Sequence, residues 1–214
     1  MDTVLSEWQW VDLWPYAILT SVIGSWILYH FLAPESWRDW AGAGLVQAFI
    51  IALYGEMYGF PLTIYTLTSF LQIKIPMVHS SGHLWATLLG YGENGDAVEM
   101  AIGYPFVIIG LILIVKGWVR IYFSGSGLVA DGIYRVIRHP QYVGIFLAIF
   151  GQLIHWPTIP TVLLSPLIVW IYFRLARREE ARLTRKYGTE YLDYRRRVPM
   201  FLPRLRNSPQ LTAT

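Results

Sequence analysis

Five runs of apolar residues, separated by polar stretches, set the plan of this chain. Residues 14–32 carry no Asp, Glu, Lys or Arg and make about 28 Å of helix, close to the ~30 Å hydrocarbon core of a bilayer. Residues 42–71 are too long for one straight crossing and hold Glu56 near their centre, with Pro61 five residues later. Pro61 lacks a backbone donor, so a kink is predicted there. Residues 97–123 form the third run, with Lys116 and Arg120 near its end, where both can snorkel to the interface. The last two runs, 141–154 and 158–173, are short for spans. They predict a helical pair turning near His155-Trp156-Pro157 that tilts, thins the membrane or extends into its charged flanks. Helix is expected to continue from Phe173 to about Tyr187, because Arg174, Arg177, Arg178, Ala181, Arg182 and Arg185 are strong formers and no breaker occurs before Gly188. The expected fold is all-α and polytopic: about five transmembrane helices with a C-terminal helical hairpin and a cytoplasmic basic helical tail.

The polar segments add orientation. Linker 33–41 brings Trp37 and Trp40 to an interfacial belt. Residues 72–96 read as an extracytoplasmic loop with a re-entrant or interfacial piece. His79 and His83 have a spacing that can share a metal on a helix, but Pro76 and Ser80-Ser81-Gly82 oppose a helix there, so a polar loop and no metal site is expected. Of the 17 Lys and Arg residues, eleven lie from Arg174 onward, and none precedes residue 14, where Asp2, Glu7 and Asp12 sit. The positive-inside rule then puts the tail and the 124–140 loop in the cytoplasm and the N-terminus outside. The basic residues also attract anionic lipid, at about 1 kcal/mol each, and no nucleic-acid partner is expected. No signal peptide is expected either, since the first residues lack basic groups and a small-residue cleavage site.

Composition agrees: 14% charged residues against the ~25% of a soluble domain, with 55% hydrophobic, describe a membrane chain. Cysteine is absent, which excludes disulfides, thiolate zinc sites and cysteine nucleophiles. Residues 1–214 read as a single membrane domain, with spans and loop over 1–96, a core over 97–205 and a disordered tail over 206–214. Glu56, a carboxylate within a span, is either a functional group or a hydrogen-bonded structural one. The segment Gly125-x-Gly127-x-x-Ala130 imitates a dinucleotide fingerprint, but a membrane helix precedes it instead of a strand. It reads as a flexible loop or as a place where backbone approaches a ligand closely.

Two motifs far apart in sequence return to one membrane face. The first is Gly132-Ile133-Tyr134-Arg135-Val136-Ile137-Arg138-His139-Pro140-Gln141-Tyr142-Val143-Gly144. The second runs from Glu179-Glu180 through Tyr187-Gly188, Tyr191 and Tyr194 to Arg197-Val198, with Pro203 beyond. Together they resemble the signature of the integral-membrane methyltransferases, over about residues 100–205. That superfamily includes isoprenylcysteine carboxyl methyltransferases and phospholipid methyltransferases. Tyr187 stands where many members have Phe, which keeps an aromatic wall.

The resemblance implies S-adenosylmethionine as methyl donor, in a cytoplasmic pocket built from the two motifs and open to lipid for an apolar acceptor. It implies catalytic roles for Glu180, Arg138 and Arg197, and cofactor contacts at Gly132, Tyr134, His139, Pro140, Tyr142, Gly144, Glu179, Glu180, Tyr187 and Tyr191. The residue types suit an adenosyl sulfonium. Tyr142, Tyr187, Tyr191 and Tyr194 offer aromatic faces, Glu179 and Glu180 accept hydrogen bonds, and Arg138 and His139 donate them. Pro140 should hold His139 off the helix that follows. The expected activity is methyl transfer to a lipid-like or small apolar acceptor, with an isoprenylcysteine carboxylate favoured by resemblance and a phospholipid amine or a thiol as alternatives. A non-enzymatic polytopic protein and a transporter using Glu56 are the readings from other classes. A multi-pass protein of a bacterial or archaeal inner membrane, in contact with membrane lipids, is the expected setting.

Overall fold

The computed structural model describes residues 13–31, 37–125 and 127–203. The acidic residues Asp2, Glu7 and Asp12, linker residues 32–36 and the 206–214 tail lie outside these. Among the described residues all regular structure is helical. Helix α1 spans Trp14–Phe31, α2 Trp37–Tyr58, α3 Leu62–Ser69, α4 Leu84–Leu89, α5 Gly92–Phe123, α6 Pro140–His155, α7 Ile159–Tyr187 and α8 Thr189–Arg197. Short 3-10 turns occupy His79–Gly82 and Gly132–Arg135. Two of the described helices are long and apolar enough to cross a membrane, Asn94–Phe123 and Ile159–Tyr187, and the bent pair Gly42–Tyr58 with Leu62–Ser69 makes a third if taken as one span.

The break at Pro61 is sharper than a kink, since α2 and α3 meet at 67°. A second helix N-terminus is thereby created inside the fold, and its amides need acceptors. Glu56 Oε2 supplies one, accepting the Thr63 N–H at 2.8 Å. Thr63 Oγ1 in turn accepts the Ile159 N–H at 2.8 Å, which ties the break to the start of α7. Residues 72–96 are more helical than a loop. Gly92 to Gly95, within the stretch read as a loop, form the first turn of α5, and Gly90 and Gly92 make the reversal before it at φ +74° and +56°. Gly95 then lets α5 approach α4: a Cβ there would lie 2.6 Å from the Ala86 Cβ. His79 and His83 flank the Trp156 indole at 4.9 and 5.1 Å, and His83 Nδ1 lies 3.3 Å from Glu99 Oε2.

The centre of the fold is apolar. Phe49, Leu53 and Met57 of α2 meet Ile145 and Ile149 of α6 and Ile168, Tyr172 and Leu175 of α7. Helix α5 packs along α6 through a glycine seam of heptad spacing. Gly103, Gly110 and Gly117 of α5 face, in turn, Gly151, Gly144 and the Pro140-Gln141 start of α6. A Cβ at Gly110 would sit 2.5 Å from the Gly144 carbonyl oxygen. Small residues at this spacing let membrane helices touch backbone to backbone. The seam fixes the start of α6, and with it His139, against α5.

Helix α7 runs about 43 Å, beyond the ~30 Å apolar core, so its charged last turns project past the span. Gly188 ends it at φ +55°, a conformation costly for side-chain-bearing residues. The chain reverses into α8, and both motifs arrive at the same end of the molecule.

Candidate active site

Pro140 occupies the first turn of α6, and His139 precedes it with extended φ −125°. A proline at that position loses no helical hydrogen bond and keeps the preceding residue out of helix. Arg138 and His139 therefore project toward the charged end of α7.

There a compact ion network forms. Arg138 approaches Glu180 Oε1 with Nη2 at 2.6 Å and Nε at 2.8 Å. His139 Nε2 lies 3.4 Å from the same oxygen, and His139 Nδ1 lies 3.5 Å from Glu179 Oε2. Arg195 Nε reaches Glu180 Oε2 at 3.7 Å. The Tyr142 hydroxyl donates to Glu179 Oε2 at 3.2 Å, and its ring stacks on His139 at 5.4 Å. Burial lowers the pKa of His139, but hydrogen bonds and charge from Glu179 and Glu180 outweigh it, so the net shift is upward. With a carboxylate near each ring nitrogen, the network favours the imidazolium form of His139.

A raised folded-state pKa adds stability that is fully present below the unfolded value of about 6.5 and is lost as pH rises through the folded value. The melting-temperature difference between wild type and His139→Gln is therefore expected to be larger at about pH 5.5 than at about pH 9. Detergent-solubilised protein melted at both pH values tests this; an equal or reversed difference contradicts the imidazolium assignment.

The remaining Arg138 donors fasten a strap, the extended segment that follows α8. Its Nη1 donates to the carbonyls of Arg195, at 2.9 Å, and Val198. The backbone amides of Arg138 and His139 donate to the carbonyls of Pro199 at 2.9 Å and Met200 at 3.2 Å. Arg138 thus joins Glu180 to the strap. Tyr194 and Tyr134 add bracing: Tyr194 Oη donates to the Tyr134 carbonyl at 2.7 Å, and Tyr134 Oη to the Gly117 carbonyl at 3.2 Å. Burial pushes the Tyr194 hydroxyl up to about 12 and also raises those of Tyr134 and Tyr191, so all three are neutral donors at pH 7.

Between these elements lies a cavity of about 270 Å³, near the ~300 Å³ low end of small-molecule sites. Of the residues singled out from sequence, Tyr134, Arg138, His139, Glu179, Tyr187 and Tyr191 line it, as does Tyr194. Glu180 stands behind Arg138 and His139. Pro140 and Gly144 do not line it, because both are committed to the α5 seam. Gly132 shapes the turn before Tyr134 through its φ of +56°. Tyr142 reaches the network through Glu179. Arg197 is exposed and donates to the Asp193 carbonyl of its own helix at 3.2 Å; Arg195 is the arginine of α8 that faces Glu180.

A third wall comes from the loop after α5, for which close approach of backbone to a ligand is one of the two sequence readings. Gly125, Gly127, Leu128 and Val129 close the cavity from the α5 side, with Ile121, Leu183 and Lys186 completing the lining. Arg120 clamps this loop to α5, its Nε donating to Asp131 Oδ1 at 2.7 Å. Beside Gly125 and Gly127 the Cβ directions are open space, leaving their backbone accessible. The signal was the glycine pair itself, coupled to the apolar Leu128-Val129-Ala130 that follows it. Leu128 and Ala130 pack against Tyr191, Tyr194 and Val198.

Comparison with known proteins matches this same region. The phospholipid methyltransferase family profile matches residues 98–190. A protein-S-isoprenylcysteine O-methyltransferase of Schizosaccharomyces pombe is 39% identical over 77 residues, which are 36% of this chain and 33% of that protein. A methanethiol S-methyltransferase of Bradyrhizobium diazoefficiens is 38% identical over 87 residues, 38% of this chain and 31% of the relative. A nickel-cobalt-cadmium resistance protein of Alcaligenes xylosoxydans xylosoxydans is 31% identical over 147 residues, 65% of this chain and 69% of the relative. The chain spans about a third of the length of the isoprenylcysteine and methanethiol methyltransferases it matches. With its apolar helices and a match that takes in most of the cavity-building residues, the chain is an integral-membrane protein and belongs to the integral-membrane methyltransferase superfamily.

Proposed function

We propose that this protein transfers a methyl group from S-adenosylmethionine to an amphiphilic acceptor at the cytoplasmic face, a carboxylate on an apolar chain being the preferred type. The observation that carries the reading is the Tyr191 hydroxyl. It is buried in a residue that lines the cavity and has no hydrogen-bond partner among the described residues. Such a group costs free energy unless something completes it, and a polar ligand can do so once the side chains around the hydroxyl shift to open it to the cavity.

The other lining groups suit an adenosyl sulfonium. Tyr187, Tyr191 and Tyr194 offer aromatic faces to a purine or a cationic sulfur. Glu179 can accept from ribose hydroxyls, and the open backbone at Gly125 and Gly127 allows close approach. When bound, the cofactor supplies an electrophilic methyl on a positively charged sulfur. Arg138 acts by holding Glu180 and the strap, since its donors are already engaged. His139 turns both ring nitrogens to Glu179 and Glu180 and so positions Glu179 at the cavity wall; a carboxylate acceptor needs no base. Most of the rate enhancement then comes from alignment and exclusion of water.

In this reading the five apolar runs cross the bilayer in turn, in a prokaryotic inner membrane. The N-terminus is outside, and the cavity and basic tail face the cytoplasm, as the eleven Lys and Arg residues from Arg174 onward favour.

S-adenosylmethionine at about 100 times its dissociation constant should stabilise the folded protein by about 2.7 kcal/mol, read as a melting shift in detergent. Methyl-labelled cofactor offered with S-farnesylcysteine, methanethiol or phosphatidylethanolamine then identifies the acceptor. Absence of both the shift and label transfer in folded protein refutes the reading. Tyr191→Phe should weaken cofactor binding about three- to tenfold with the melting temperature of the free protein unchanged or raised, because the lost hydroxyl has no protein partner. Unchanged affinity in that variant removes Tyr191 from the ligand contacts.

A further inference from the structure

On the lipid-facing side of the α6–α7 hairpin lies an open apolar groove of about 690 Å³. Phe146, Phe150 and Leu153 form one wall, and Ser165, Val169 and Phe173 the other. The Ser165 hydroxyl donates to the Val162 carbonyl at 3.0 Å, so the groove offers little to a polar head group. Its cytoplasmic end meets Phe201. That ring lies 5.8 Å from Phe146 and 5.9 Å from Phe173, both walls of the groove, and 5.8 Å from His139, which lines the cavity.

Phe201 is also held in place. The carbonyls of Val198, Pro199 and Met200 are all taken up by Arg138 and His139, so the residue that follows them cannot drift from the junction. On its other side His139 stacks on Tyr142, whose ring meets Tyr172 edge-on at 5.1 Å. At the charged end of the groove the Arg174 and Arg177 guanidiniums lie 4.8 Å over the Trp170 and Phe173 rings, while the way from the groove to His139 and Glu179 of the cavity passes Phe201.

We propose that Phe201 is a specificity-determining residue, a plug at the junction of groove and cavity that selects among acceptors by the bulk of the chain next to the head group. The occupant of the groove is the apolar chain of the acceptor. This rests on the methyltransferase reading for the head group's destination, but the binding event can be followed without turnover.

The chain contains no cysteine, so Ser165→Cys introduces a single thiol in the groove. In phosphatidylcholine nanodiscs, S-farnesylcysteine is expected to slow maleimide labelling of that thiol. Its half-protecting concentration should rise about five- to tenfold in Phe201→Trp and fall in Phe201→Ala, the size of effect that steric change in an apolar pocket produces. Farnesene, which has the chain but no head group, should protect equally whichever residue stands at 201. Cofactor-induced melting shifts verify that each variant is folded, and Phe201→Leu serves where tryptophan prevents folding. No protection by S-farnesylcysteine would mean that bilayer lipid alone fills the groove, and half-protection independent of residue 201 would mean that Phe201 is only packing; either result overturns the proposal. If protection behaves as expected while no acceptor is methylated by cofactor-bound wild type, the catalytic reading fails and the plug stands.

Discussion

Replacing Glu180 with alanine will cost about 3–5 kcal/mol of stability, the range for breaking a buried ion pair by removing one partner. The carboxylate serves Arg138 at 2.6 and 2.8 Å, His139 at 3.4 Å and Arg195 at 3.7 Å. The Arg138 and His139 side chains are 9% and 5% exposed, so two cationic groups would be left with little water to solvate them. Glu180→Gln keeps the shape and one acceptor and should lose less. Arg138→Met combined with Glu180→Ala should cost less than the sum of the two single changes, because it removes the stranded charge together with its partner. Melting in detergent at a fixed scan rate measures wild type and the four variants, and the expected drop for Glu180→Ala is on the order of 10 °C. A drop no larger than that of an exposed arginine such as Arg197→Ala would show that the network does not hold the site together.

The second large effect is expected at the glycine seam. A Cβ at Gly144 would lie 2.5 Å from the Gly110 carbonyl oxygen and 3.0 Å from the Ile114 amide nitrogen. Both are backbone atoms that no rotamer change can move. Gly144→Ala should cost about 1–3 kcal/mol, as overpacking does, and Gly110→Leu more. Gly125→Ala has open space around it and should stay within about 0.5 kcal/mol of wild type. The comparison also decides what Gly144 is for. As a packing residue its alanine variant melts earlier yet binds cofactor normally once folded; a variant of normal stability with weakened cofactor binding would return Gly144 to the ligand contacts.

Much of this architecture was legible because its causes are local. Each of the five apolar runs reappears as helix, and α7 ends at Gly188 where a run of strong helix formers meets a residue that tolerates positive φ. Pro61 was readable as an interruption for the same reason. Glu56 was not, since its Thr63 partner became available only once the break made a new helix N-terminus. Rotation about a helix axis was equally hidden. Arg195 and Arg197 lie two residues apart on α8, about 200° around the axis, and only packing of Tyr191 and Tyr194 decides which one meets Glu180. The strap escaped notice because its Arg138 and His139 bonds are accepted by main-chain carbonyls, which no side-chain pattern announces. Gly144 illustrates a different limit: a glycine within a binding motif looks the same whether it makes room for a ligand or for another helix.

The strap has a consequence for biosynthesis. The cavity draws its walls from residues between Ile121 and Tyr194, and Arg138 stays braced only once the carbonyls of residues 195–200 have arrived. Synthesis runs from the N-terminus, so the glycine-seamed α5–α6 pair can insert and associate early, while Arg138 waits for partners made some sixty residues later. A nascent chain halted before Val198 therefore carries every apolar run but no completed site. Completion of the site is therefore timed by residues 195–200, and a chain truncated before them is expected to insert without bracing Arg138.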